Sequence, residues 1–330
     1  MLPLRPAGIQ TMLGSSKLRT WGANRMSAAA RDIIFETPDG VKLLGSYSQH
    51  DGSPVKGLVI LLHGWEGSVD STYILCTGRT LFKNGYNILR LNFRDHGESH
   101  HLNEGIFYAV LLEEVFQAVK QAARLADELP VFLAGFSLGG NFVLRILQRC
   151  IDHPIMNLNH AVAISPVLDP EKATLKIDQT FLIRRYFLKK WFRSLEKKQQ
   201  LFPELYHFSK VFSLNTIAAV TDAMLHYYSN YGSSKDYFRQ YSVVKKAIKD
   251  ITVPTTIITS ADDPIIPVED FYQLETNDLT TMVIQQYGGH NGFIDGLYLQ
   301  GWYERRMIMI FDEAARNRII SGVGDVAETQ

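Results

Sequence analysis

Ser137 stands at the centre of Gly135-Phe136-Ser137-Leu138-Gly139. The apolar run Val131-Phe132-Leu133-Ala134 comes directly before it, and Asn141–Leu147, which reads as a helix, follows. A serine on such a strand-to-helix turn is lifted clear of the sheet, and the flanking glycines allow a turn too tight for a Cβ. The helix N-terminus behind it favours developing negative charge. A serine hydroxyl is a weak nucleophile until a base accepts its proton. His290, reached from the apolar run Met282–Gln286 through Tyr287-Gly288-Gly289, is the candidate base. The imidazole in turn needs a carboxylate to fix its tautomer and stabilise its protonated form. Asp262 and Asp263 both follow the run Thr255–Thr259. Asp263, which opens Asp-Pro-Ile-Ile-Pro, is the preferred acid. Asp262 is the alternative, and otherwise caps the loop. Serine, acid and histidine in this order, each at the end of a strand, predict acyl transfer through a covalent intermediate.

The tetrahedral oxygen of such a reaction needs two backbone N–H donors. Leu138, next after the serine, supplies one, and Trp65 in His63-Gly64-Trp65, after the run Leu58–Leu62, supplies the other. His96, His100 and His101 crowd one loop, but without helical spacing or a cysteine partner. They predict a shaped loop near the pocket mouth and no metal site, and the chemistry calls for no cofactor.

These residues must be positioned by alternating strands and helices. Ile33–Phe35 and Val41–Tyr47 around Pro38-Asp39-Gly40 read as an opening hairpin. Strands at Leu58–Leu62, Asn87–Asn92, Val131–Ala134, His160–Ile164, Thr255–Thr259 and Met282–Gln286 then alternate with helices at Ser71–Asn84, Phe107–Glu128, Leu138–Arg149, from Val268, and about Tyr303–Arg318. The pattern predicts an α/β, mostly parallel, doubly wound sheet over residues 32–320. It breaks at about 167–250, a helical, aromatic and basic stretch expected to form a lid. Within it Ile183, Phe187, Trp191 and Leu195 make an i, i+4 stripe surrounded by Arg184, Arg185, Lys189, Lys190, Arg193, Lys197 and Lys198. Such a helix can cover a pocket, or lie on an anionic membrane surface.

Residues 1–31 hold Arg5, Lys17, Arg19, Arg25 and Arg31 and no acid. They read as a transit-type leader, a disordered tail, or sequence upstream of an initiator at Met26, in each case outside the fold. Residues 321–330 read as a flexible tail. Lys plus Arg equal Asp plus Glu at 34 each, which gives no reason to expect nucleic acid. Cys76 and Cys150 are too few for a disulfide framework and imply a reducing, cytoplasmic setting. The sequence says nothing of oligomeric state.

The chain resembles the α/β-hydrolase superfamily from about residue 33 to 318. Within it, the chain is similar to the YheT-like branch, which includes medium-chain fatty acid ethyl ester synthases and esterases. The motifs are His63-Gly64-Trp65-Glu66-Gly67-Ser68, Asn92-Phe93-Arg94, Gly135-Phe136-Ser137-Leu138-Gly139-Gly140-Asn141, Asp262-Asp263-Pro264 and Gly288-Gly289-His290-Asn291-Gly292-Phe293. The resemblance implies a triad at Ser137, Asp263 and His290. The expected activity is hydrolysis of carboxylic esters of short- to medium-chain acyl groups. The alternatives are transfer of the same acyl group to an alcohol, and a non-catalytic binding protein on the same fold.

Overall fold

A strand with no polar face must be covered on both sides. In the computed structural model, which describes residues 5–52, 54–244, 248–296 and 299–327, the apolar runs occupy such positions. Eight strands form the main sheet: β1 Ala30–Glu36, β2 Lys42–Ser48, β3 Gly57–Leu62, β4 Tyr86–Leu91, β5 Val131–Phe136, β6 Leu158–Ile164, β7 Thr255–Ser260 and β8 Thr280–Gln285. Their order is β1-β2-β4-β3-β5-β6-β7-β8. The pairs β1/β2 and β2/β4 are antiparallel and the rest parallel. Every residue of β3, β4, β5 and β7 is buried. Because side chains alternate along a strand, Leu58, Ile60 and Leu62 enter one core, and Val59 and Leu61 the other. The chain leaves β3 for β4 on one side and returns to β5 on the other. Open α/β sheets place their ligand crevice at the carboxyl end of such a reversal.

The helices are α1 Ala7–Gly14, α2 Arg25–Ala28, α3 Thr72–Lys83, α4 Leu112–Ala123, α5 Leu138–Asp152, α6 Pro170–Gln179, α7 Phe181–Leu201, α8 Ser209–Phe212, α9 Ile217–Tyr228, α10 Ser234–Tyr241, α11 Glu269–Tyr272 and α12 Trp302–Ala327. α3 and α12 cover one face of the sheet, and α4 and α5 the other. Between β6 and β7, α6 to α10 form the helical insertion. It begins where Asp169 accepts hydrogen bonds from the Glu171 and Lys172 amides and Pro170 takes the first helical position.

Three readings of the sequence need correction. The helix expected over Phe107–Glu128 is regular only at α4. Before it, Arg145 donates to the Ala109 and Val110 carbonyls, and the Ala109 N–H donates to the Tyr237 hydroxyl, drawing these groups away from a helical ladder. The segment expected outside the fold is part of it. Arg19 makes a buried ion pair with Glu304 at 2.6 Å and donates to the Gly14 and Leu299 carbonyls. Met26 is fully buried against α3, where a Cβ on Gly78 would come within 2.5 Å of its sulfur. The tail expected at 321–330 continues α12 through Ala327, and residues 328–330 lie outside the described residues.

Candidate active site

β5 ends at Phe136 and α5 begins at Leu138, so Ser137 alone makes the turn, with φ 55° and ψ −114°. A non-glycine residue at positive φ is strained, and the strain is held by its surroundings. The Ser137 N–H donates to the Ile164 carbonyl at 2.8 Å, and its own carbonyl accepts from the Asn141 and Val167 amides. Gly139 is required by close approach. A Cβ there would lie 2.4 Å from the Leu62 carbonyl oxygen and 2.5 Å from that of His63.

His290 Nε2 lies 2.9 Å from Ser137 Oγ. Its Nδ1 lies 2.9 Å from Asp263 Oδ2 and 3.2 Å from Oδ1. With the Nδ1 proton donated to the carboxylate, Nε2 is left to accept the serine proton. The Asp263 side chain is fully buried, and its Oδ1 also accepts from the Ile265 and Ile266 amides. Asp262 does not reach the ring. Its Oδ1 accepts from the Gly288 and Gly289 amides, both at 2.9 Å, and ties down the loop that carries His290.

The turn after β3 is built around neutral histidines. His63 is buried beside Gly64. Its Nδ1 lies 2.7 Å from the Gly64 carbonyl, and its Nε2 accepts the Phe93 N–H at 3.2 Å. Burial pushes this imidazole down to about 3. His96 Nε2 accepts the N–H of Glu66, which sits at φ 54°. Burial drives His96 well below its ordinary range too. Gly64 lies against the turn at Ser137, where a Cβ would be 3.3 Å from Ser137 Cβ. The Leu138 N–H, first of its helix, has no intrahelical acceptor. Trp65, Leu138, Ser137 and His290 all line one cavity of about 120 Å³.

Helices of the insertion roof that cavity. Phe187 of α7 stacks on Trp65 at 5.3 Å between ring centroids, and Trp191 meets it edge-on at 5.1 Å. The stripe from Ile183 to Leu195 is turned inward, so the surface α7 leaves outside is its basic one. Met224 and Leu225 of α9 and Tyr237, Phe238 and Tyr241 of α10 add apolar wall. At the polar end Asp95 and Lys198 form a buried ion pair at 2.8 Å. Lys198 Nζ also donates to the His100, Asn103 and Gly105 carbonyls. Burial raises the Asp95 carboxyl to about 6 and that of Glu66, which also lines the cavity, to about 8.

The sequence places Lys198 only among the cations around the stripe. Its place three residues beyond Leu195, continuing the stripe, was the available signal. The Asp95–Lys198 pair, Glu66 and the contacts of α1 with the His290 loop were missed. Among the described residues no group of three or more histidine, cysteine or acidic side chains could hold a metal ion. Cys76 and Cys150 are buried free thiols.

The family model described as serine aminopeptidase, S33, matches residues 53–287. The phospholipase ABHD3 of Bos taurus is 22% identical over 316 residues, covering 91% of this chain and 75% of that protein. Among solved structures, an esterase of Pyrococcus furiosus aligns with a TM-score of 0.56 at 21% identity, over 86% of this chain and 91% of its own. A hyperthermophilic esterase of the archaeon Pyrobaculum calidifontis gives a TM-score of 0.57 at 16% identity, over 96% and 91%. At these identities the structural likeness is one of fold, the α/β-hydrolase fold.

Proposed function

The chain belongs to the serine aminopeptidase S33 family of α/β-hydrolases, and from that premise we propose that it is a cofactor-independent carboxylic ester hydrolase using Ser137, His290 and Asp263. The observation that carries the reading is the run of contacts Asp263–His290–Ser137, each 2.9 Å, opening on an apolar cavity. As Ser137 Oγ bonds to the ester carbonyl carbon, its proton passes to His290 Nε2, and the Trp65 and Leu138 amides receive the oxyanion. The tetrahedral adduct collapses, the carbon–alkoxide bond breaks, and Nε2 protonates the departing alcohol. A water deprotonated by His290 then attacks the acyl-enzyme and releases the acid. Asp263 orients the ring and stabilises its charged form.

Ester rather than peptide chemistry is favoured by the charges around the cavity. An aminopeptidase must hold its substrate's ammonium group, which calls for a free carboxylate. Here Asp95 is matched by Lys198, and Glu66, raised to about 8, is mostly protonated at neutral pH. Apolar side chains from α7, α9 and α10 suit a short- to medium-chain acyl group. The His63–Ser68 and Gly288–Phe293 motifs support placement in the YheT-like branch. Similarity to the bovine phospholipase adds glycerophospholipid esters to the substrates worth testing. The test is hydrolysis of p-nitrophenyl esters of increasing chain length by the wild type and by Ser137→Ala. Equal rates from the two proteins would end the serine mechanism.

We also propose that the outer face of α7 meets an anionic lipid surface. Arg185, Lys189 and Arg193 are exposed there, and Phe181 and Leu182 are 59% and 76% exposed at its start. Among the described residues no helix is long and apolar enough to cross a membrane. Sedimentation with phosphatidylcholine vesicles should rise when phosphatidylserine is included and fall in an Arg185→Glu/Lys189→Glu/Arg193→Glu variant. Binding indifferent to both changes would remove the proposal.

A further inference from the structure

The loop that presents His290 does not hold itself in place. Gly289, Asn291 and Phe293 have φ of 54°, 60° and 47°, so three of five successive residues are left-handed, two of them with side chains. Such a conformation persists where neighbouring structure fixes it. Asp262 fixes one side through the Gly288 and Gly289 amides. The other side is held by α1, about 280 residues earlier in the chain.

Thr11 Oγ1 accepts the backbone N–H of His290 at 2.9 Å and donates to the Ala7 carbonyl at 2.8 Å. Gln10, buried, brackets Ile294. Its Oε1 accepts the Ile294 N–H at 2.6 Å and its Nε2 donates to the Ile294 carbonyl at 3.2 Å. The surfaces meet without room for a methyl group. A Cβ on Gly289 would lie 2.4 Å from the Ala7 carbonyl oxygen, and one on Gly292 would lie 2.3 Å from that of Gln10. α1 is fastened in turn by Arg19, which links the Gly14 carbonyl to Glu304 at the start of α12.

We propose that residues 7–19 form a strap that sets the position of His290, with Thr11 and Gln10 as positioning residues for the base. The proposal rests on the reading of His290 as the base for Ser137. The 2.9 Å contact between them leaves little tolerance, since a shift of about 1 Å at a reacting group can cost on the order of 100-fold in rate. A segment whose composition suggested a leader is thus a working part of the active site. Its sequence shows no sign of this, because the residues it meets around His290 lie about 280 positions later in the chain.

The test compares wild type, Thr11→Val, Thr11→Ser and Gln10→Met on p-nitrophenyl butyrate, with Ser137→Ala as the blank. Valine keeps the shape of threonine and removes the acceptor, whereas serine keeps the acceptor. The expected result for Thr11→Val is a fall in kcat of roughly 10- to 100-fold with KM changed less than about twofold. A parallel slowing of fluorophosphonate labelling at Ser137 and recovery in Thr11→Ser should accompany it. Gln10→Met, which removes both bonds to Ile294, should repeat the kcat loss should Thr11→Val fold poorly. Melting temperatures are measured alongside, with kinetics taken well below them. A lowered melting temperature with wild-type kcat in both variants would make the strap merely structural and overturn the proposal. Wild-type turnover equal to that of Ser137→Ala would instead overturn the reading of the site, and the strap's role with it.

Discussion

Acid should weaken this fold through His63 by an amount that follows from its environment. The ring is fully buried, its Nδ1 proton is directed to the Gly64 carbonyl, and its Nε2 already accepts the Phe93 N–H. Protonation at Nε2 would set two donors against each other in a fully buried site, and burial accordingly holds the group at about 3. In the unfolded chain the same imidazole titrates near 6.5. Because the native value is depressed, the unfolded chain binds the extra proton between about pH 6.5 and 3, and stability is lost as pH falls through that window. The slope approaches about 1.4 kcal/mol per pH unit below pH 6.5, so acidification from pH 8 to 4.5 removes roughly 2–3 kcal/mol through His63 alone. That is a large share of the roughly 5–15 kcal/mol typical of a domain. His63→Gln can still accept the Phe93 N–H and cannot titrate. It will be less stable than wild type at pH 8, where the packing of the ring on Phe93 is lost. Its further loss on acidification should be smaller than that of wild type by about 2–3 kcal/mol. Urea unfolding of both proteins at intervals from pH 8 to 4.5 measures the difference. Contributions from His100 and His160, each held near 4 by burial, are common to both and cancel. Curves that run parallel to within about 0.5 kcal/mol would refute the argument that His63 is locked neutral.

Three further outcomes are expected. Asp263→Asn should lower kcat by on the order of 10³–10⁴, whereas Asp262→Ala should act mainly on stability, by about 1–3 kcal/mol, through the two amides it leaves unpartnered. The reverse ranking, read by ester hydrolysis and chemical unfolding, would exchange their roles. Lys198→Met leaves the Asp95 carboxyl buried without its cation and should cost about 3–5 kcal/mol, with Asp95→Asn/Lys198→Met recovering much of it; additive effects in the double-mutant cycle would deny the coupling. With ethanol present, product analysis should show free acid exceeding ethyl ester, and ester in excess would make the protein an acyltransferase.

What could be read from the sequence was what is local. The turn at Ser137 is a five-residue pattern between a strand and a helix, and a histidine after the last parallel strand reaches the same sheet edge by topology. The two aspartates could not be separated as firmly. They are neighbours on one turn, and which carboxylate faces the imidazole is decided by amides of a loop 26 residues later. Contacts between distant parts of the chain left no local trace. Arg19 and Glu304 are 285 residues apart, and Thr11 of the strap and the His290 it holds are 279 apart. The helix shortened to begin at Leu112 shows the same limit. Its periodicity was adequate, and Arg145, on another helix, took its carbonyls.

The polar groups packed around Ser137 share one property that the motifs do not express. His63 and His96 are held neutral by burial, Glu66 is raised into the protonated range, and the charge of Asp95 is cancelled at 2.8 Å by Lys198. Each of these groups, left ionised and unpaired, would act strongly on a negative charge forming at the reaction centre, because the apolar roof of Phe187 and Trp191 keeps the local dielectric low. In the proposed mechanism the backbone amides of Trp65 and Leu138, the α5 N-terminus and the imidazolium of His290, paired with Asp263, are then the groups that act on the oxyanion. The same neutrality offers nothing to hold a substrate's ammonium or carboxylate. An uncharged ester with an apolar acyl chain fits that environment in both respects, in its ground state by burial and in its transition state by the direction of the remaining dipoles. Substrate choice then falls to the shape of α7, α9 and α10, the part of the chain whose sequence carries no motif.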